Sequence, residues 1–264
     1  MLMMMMLMMM LLWLQALPGT QVVVLRAFSD DVSIVALWRQ IGAFWREMER
    51  VDSSHGLTII CASQGVMVCR AILSVVHNHR VHTFISLGGP LMGLYGGEPP
   101  WVQSAFPWFL SVVSALCYWR LGQEVSVCNY WHDPTQQQRY LHKNLFLPII
   151  NNETPHRMAH VFKRNFVQLK RLVLVGGSGD GELRPWQTRV MVVVRHLPLA
   201  SCSRYLGHFY LCPTLLQVYV QDLFGLRTLD RRGGLVTCSV PGVVHKAWVR
   251  SETAFRRCIE PHLW

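Results

Sequence analysis

Short β-branched runs closed by glycine or turn residues alternate along this chain with stretches of helical period. That rhythm restricts the fold more than any other feature. Gln21–Leu25 (QVVVL), bounded by Pro18-Gly19 and Ser29-Asp30, reads as a buried strand. Ile34–Val51 follows with Leu37, Ile41, Phe44, Trp45 and Met48 near one face of a helix. Leu57–Ala62 (LTIICA) predicts a second strand, and Gln64–Val76 a helix turning Val68, Ile72 and Val75 or Val76 inward. Val81–Leu87 (VHTFISL) ends at Gly88-Gly89-Pro90, and Leu172–Val175 (LVLV) ends at Gly176-Gly177, giving two further strands. Strands separated by helices imply an α/β fold, a mainly parallel sheet with helices on both faces. Between the third and fourth runs, Tyr95–Lys170 is rich in aromatics and turn residues and reads as a cap or insertion over a site.

Composition matters mainly at the N-terminus. The chain has 264 residues, 51% apolar and 15% charged, which excludes a disordered polymer and suits one well-cored domain. Eight of its 13 methionines fall within Met1–Met10, so the opening inflates the bulk apolarity. Met1–Leu14 is an unbroken apolar run, about 21 Å long as a helix and so short of a roughly 30 Å hydrocarbon slab. It predicts a secretory signal over residues 1–16, with cleavage near Ala16, although no Lys or Arg precedes it. A misassigned coding start is the alternative. The remainder, 17–264, is read as a single domain in which Arg189–Gln221 is atypical, apolar and without clear period. No later run is long enough for a transmembrane span.

Cys61, Cys69, Cys117, Cys128, Cys202, Cys212, Cys238 and Cys258 are even in number and include no CxxC pair, so a metal site is not expected. Behind a secretory leader they favour disulfides in an oxidising lumen. Asn152-Glu153-Thr154 offers a glycosylation acceptor, weakened by Pro155. Lys plus Arg number 25 against 15 Asp plus Glu, a net charge of +10. With no basic helix or base-stacking motif, this excess points to anionic substrates or transient contact with a membrane surface rather than to nucleic acid.

Ser63 stands between the second predicted strand and its helix, in Cys61-Ala62-Ser63-Gln64-Gly65. A strand-to-helix turn of this kind lifts a hydroxyl above the sheet, beside a helix N-terminus that stabilises negative charge. Cys61 replaces the first glycine of G-x-S-x-G, and a plain N-cap serine would look the same in isolation. Asp180 follows the fourth run within Gly176–Gly181, where a turn aspartate is also common. That run lacks the Lys-Ser/Thr of a phosphate loop. His245, one of 12 histidines, lies in a loop ahead of the last predicted helix. The chain order Ser, Asp, His, each after a strand or in a loop, is that of α/β-hydrolases. In that chemistry Ser63 attacks an acyl carbon, His245 takes its proton and Asp180 orients the imidazole. The backbone N–H of Gln64 is the evident oxyanion donor.

The runs around these residues carry a resemblance. Ile60–Gly65, Phe84–Leu87, Met92–Gly96, Cys128-Asn129-Tyr130-Trp131-His132-Asp133-Pro134, Pro185-Trp186-Gln187, Phe224–Leu226 and Cys258-Ile259-Glu260-Pro261 closely resemble palmitoyl-protein thioesterases. The resemblance covers roughly Pro18–Thr188 and Asp222–Trp264. It implies an α/β-hydrolase fold, and a lysosomal glycoprotein that hydrolyses long-chain acyl thioesters without a cofactor, acyl-CoA being one substrate class in the family. It also implies disulfides pairing Cys61 with Cys69, Cys117 with Cys128 and Cys238 with Cys258, and leaves Cys202 and Cys212 without counterparts. The chain departs from the family in lacking the opening strand that ends in His-Gly-Leu-Phe, whose loop supplies a second oxyanion N–H. One lost donor typically costs about 10²–10³ in rate. The competing expectation is therefore a relative that binds acyl chains or acyl-CoA without turnover.

Overall fold

The computed structural model describes residues 19–25, 34–96, 108–180 and 217–263. The leader, Gly181, Cys202, Cys212 and most of Arg189–Gln221 lie outside them. The first described element is helix α1 (Leu37–Met48), followed by strand β1 (Leu57–Ala62), helix α2 (Gly65–Val75) and strand β2 (Val81–Leu87). The insertion after β2 carries α3 (Phe109–Cys117), α4 (Ser126–Asn129), α5 (Gln137–Lys143), α6 (Leu147–Ile150) and α7 (Ala159–Phe166). Strand β3 (Arg171–Gly176), α8 (Leu226–Arg231) and β4 (Leu235–Ser239) complete the sheet, and a 3₁₀ turn over His245–Arg250 follows. This is an α/β-hydrolase fold, with four parallel strands among the described residues in the order β1-β2-β3-β4.

The strands sort their side chains by parity, as a pleated sheet buried on both faces must. Phe84, Leu172 and Leu174 join one core with α1, α2 and α7, while Ile85, Leu87, Val173 and Val175 join a second with Trp248, Phe255 and Ile259. Helices and short turns thus cover both faces. Arg70 of α2 is buried against the insertion, its guanidinium 4.3 Å and 4.0 Å from the ring centres of Phe166 and Phe224. It donates to the Ile150 carbonyl at 3.1 Å, so the helix behind Ser63 is anchored to the cap. Burial lowers the guanidinium pKa to about 9.

The structure departs from the sequence reading at three places. Gln21–Leu25 forms no strand: Val22 packs against one core and Leu25 against the other, and the segment joins no ladder among the described residues. The apolar run is accommodated by packing alone. Conversely, β4 was not anticipated from Leu235–Ser239; it is a strand because it meets the free edge of β3, with Val173 opposite Val236. The helix read over Ile34–Val51 is shorter, since Val35 instead bridges Val125.

Candidate active site

β1 ends at Ala62 and α2 begins at Gly65, so the chain must reverse within two residues. Ser63 makes that reversal at φ 52°, a left-handed conformation rare outside glycine. Such strain persists only where its surroundings enforce it. Here the Ser63 N–H donates to the Leu87 carbonyl at 3.0 Å and its carbonyl accepts from Val66 N–H at 3.0 Å. A disulfide from Cys61 to Cys69 ties the strand to the helix across the turn. The residue that replaced the motif's first glycine is therefore a staple.

Three side chains converge on this turn from the C-terminal ends of separate strands. Ser63 Oγ lies 2.7 Å from His245 Nε2, and His245 Nδ1 lies 2.9 Å from Asp180 Oδ2. An ionised carboxylate only accepts, so Nδ1–H donates to Asp180 and Nε2 accepts from the Ser63 hydroxyl. The Asp180 side chain has no exposed surface, which strengthens its hold on the imidazole. The glycine-rich run before Asp180 serves close approach: a Cβ on Gly179 would lie 2.5 Å from the Gly242 carbonyl carbon. The two loops carrying Asp180 and His245 meet backbone to backbone there. Such a relay can remove a hydroxyl proton as the oxygen attacks an acyl carbon.

Two further groups touch the relay. The Trp248 Nε1–H donates to Asp180 Oδ2 at 2.8 Å, the same oxygen that His245 holds. Residues three apart eclipse in a 3₁₀ turn, so the His-x-x-Trp spacing was the legible signal. Beside Ser63, Gln64 Oε1 accepts from Ser126 Oγ at 2.7 Å and from Tyr130 OH at 3.2 Å. No local pattern announces that contact, which spans more than sixty residues of chain.

Cys117 pairs with Cys128 and Cys238 with Cys258, making three disulfides with Cys61–Cys69 among the described residues. Among the described residues no cluster of three or more His, Cys, Asp or Glu could hold a metal ion. No described helix is long and apolar enough to cross a membrane. Asn152 Nδ2 donates to the carbonyls of Ala159 at 3.0 Å and Leu223 at 2.8 Å. A glycan on that nitrogen would replace one of these bonds.

A parallel α/β sheet with a serine, a histidine and a buried carboxylate joined above it defines a serine-hydrolase type of site. The palmitoyl protein thioesterase family model matches residues 4–245, and the chain belongs to that family. It is 40% identical over 254 residues to lysosomal thioesterase PPT2 of Bos taurus, covering 93% of this chain and 78% of that one. To lysosomal thioesterase PPT2 of Homo sapiens it is 39% identical, covering 93% and 79%. The lysosomal thioesterase PPT2 homolog of Drosophila melanogaster is 32% identical, with 93% and 82% covered.

Proposed function

We propose that this chain is a lysosomal hydrolase of long-chain acyl thioesters that works through an acyl-enzyme on Ser63. The Ser63 oxygen attacks the thioester carbonyl while its proton passes to His245 Nε2. Asp180 holds the resulting imidazolium, and the Gln64 N–H faces the developing oxyanion. His245 then gives its proton to the departing thiolate. Water attacks the acyl-serine with the roles reversed, releasing the fatty acid. The observation that carries this reading is the unbroken contact from Ser63 Oγ through His245 to Asp180, at 2.7 and 2.9 Å. A thiolate is a good leaving group, so thioesters demand less oxyanion stabilisation than oxygen esters. The net charge of +10 favours acyl-CoA, an anionic carrier.

The test is release of CoA from palmitoyl-CoA by the purified chain at acidic pH, together with fluorophosphonate labelling. Wild type should turn over and label at Ser63, and Ser63→Ala should do neither. Palmitoyl-CoA binding with no labelling and no turnover would replace this reading with that of an acyl-chain carrier.

A further inference from the structure

Helix α3 carries apolar residues on two faces, of which Leu110 and Val113 pack against the core. Its Ser114 is fully buried, accepting from Trp131 Nε1–H at 2.9 Å and donating to Asp133 Oδ2 at 2.6 Å. Phe109, Val112 and Leu116, at the spacing of one helical face, point outward instead. The Cys117–Cys128 disulfide, together with the Ser114 bonds, fixes the roll of the helix, so the apolar face cannot turn in. Beyond each end stands an exposed tryptophan, Trp108 before it and Trp119 after it, with Leu121 exposed as well. Leu116 is 57% exposed and Trp119 59%. Of fifteen exposed large apolar residues among the described ones, eight lie in 108–127, a concentration rather than ordinary scatter.

Charge selects the occupant. Between Trp108 and Val127 the chain carries only two charged residues, Arg120 and Glu124. Glu124 is neutralised by Arg39 at 2.6 Å, which leaves Arg120 as the charge the patch presents. Aromatic residues flanking an apolar helical face with a basic residue beside them are the pattern of a surface lying in a lipid interface. A second copy would bring +10 against +10, whereas an anionic bilayer attracts the chain. We propose that the outer face of α3, with Trp119, Arg120 and Leu121, docks this protein on anionic membrane surfaces. The same 108–131 segment supplies Ser126 and Tyr130 to Gln64, so docking would bring the bilayer beside the elbow of Ser63. The surface stands on its own geometry and does not need the proposed hydrolysis.

Flotation of the full chain with vesicles of phosphatidylcholine containing one part in five phosphatidylserine, at pH 5 and low salt, tests it. Wild type should float with these vesicles and much less with pure phosphatidylcholine. Leu116→Glu with Trp119→Glu should lower the bound fraction at least tenfold, and Arg120→Glu severalfold. Hydrolysis of a water-soluble short-chain thioester, unchanged in the variants, verifies their folding. If no variant or wild type shows that activity, near-ultraviolet circular dichroism replaces it as the folding control. In that case the function fails while the docking result still stands. Binding that persists in the double variant would overturn the proposal, as would failure of wild type to bind. So would a wild-type dimer that the double variant dissociates, which would make the face an interface between copies.

Discussion

Replacing Trp248 by Phe removes the indole N–H with the rest of the five-membered ring and keeps an aromatic group in the core, which tests what that N–H does for Asp180. Asp180 Oδ2 receives two donors, Trp248 Nε1–H at 2.8 Å and His245 Nδ1–H at 2.9 Å. The carboxylate side chain is fully enclosed, so water cannot take the place of the lost donor. A hydrogen bond to a charged group contributes about 1.5–3 kcal/mol. If all of it acts in holding the carboxylate against the imidazolium of the transition state, kcat falls by about 10- to 150-fold. That is smaller than the loss of about 10⁴ expected when the acid of such a relay is itself replaced. KM should stay within about threefold, because Trp248 is buried and contacts the relay only through Asp180. Gly88→Ala approaches the same contact from the opposite direction. A Cβ there would lie 2.8 Å from Trp248 Nε1 and 3.2 Å from Asp180 Oδ2, at a φ of +56°. Restoring ordinary contact moves the ring by about 0.6 Å, which can stretch its N–H bond to Asp180 beyond the usual range of about 2.7–3.2 Å. Steady-state palmitoyl-CoA hydrolysis, with intact folding verified by circular dichroism, reads both variants. A Trp248→Phe enzyme with kcat within threefold of wild type would refute the argument, as would one changed only in KM.

The clamp on Gln64 gives a second expectation. Removing both donors with Ser126→Ala and Tyr130→Phe should lower kcat about tenfold, the loss of two weak neutral hydrogen bonds at the elbow, with fluorophosphonate labelling of Ser63 slowed in proportion. Unchanged labelling would show that the Gln64 side chain does not position its peptide. Glu153 supplies a pH prediction. Desolvation raises its pKa, against the lowering influence of His132, Tyr140 and Asn151, while the Tyr140 hydroxyl donates to it at 2.5 Å. A carboxyl whose folded pKa lies above its unfolded value stabilises the fold at low pH, and this contribution is lost as pH rises through the folded pKa. Glu153→Gln, which keeps an acceptor for Tyr140, should therefore raise Tm relative to wild type at pH 7 and leave it nearly unchanged at pH 4. Equal shifts at both pH values in thermal melts would count against a raised Glu153 pKa.

Local pattern carried much of this molecule. The runs LTIICA and VHTFISL read directly as β1 and β2, because short runs rich in β-branched and apolar residues between turn signals favour strands. The α2 helix and the positions of Ser63, Asp180 and His245 at strand ends and in loops were likewise legible. Each follows from the residues immediately around it. The family resemblance supplied the cysteine pairing, which spacing alone leaves open.

What local pattern could not supply was anything decided by a distant partner. QVVVL has the composition of a strand yet joins no ladder, while LVTCS becomes β4 because β3 offers it an edge. Ser126 and Tyr130 reach Gln64 only after the insertion folds back over the elbow. The outward face of α3 depends on a disulfide and on buried bonds to Asp133 and Trp131 that override its own hydrophobicity. Sequence by itself determined which segments want to be strand or helix and which side chains could do chemistry, because those depend on neighbours within a few residues. Tertiary structure alone decided which edges pair, which oxygen Trp248 holds and which apolar face stays in water, because hydrogen bonds and burial are settled between segments far apart in the chain.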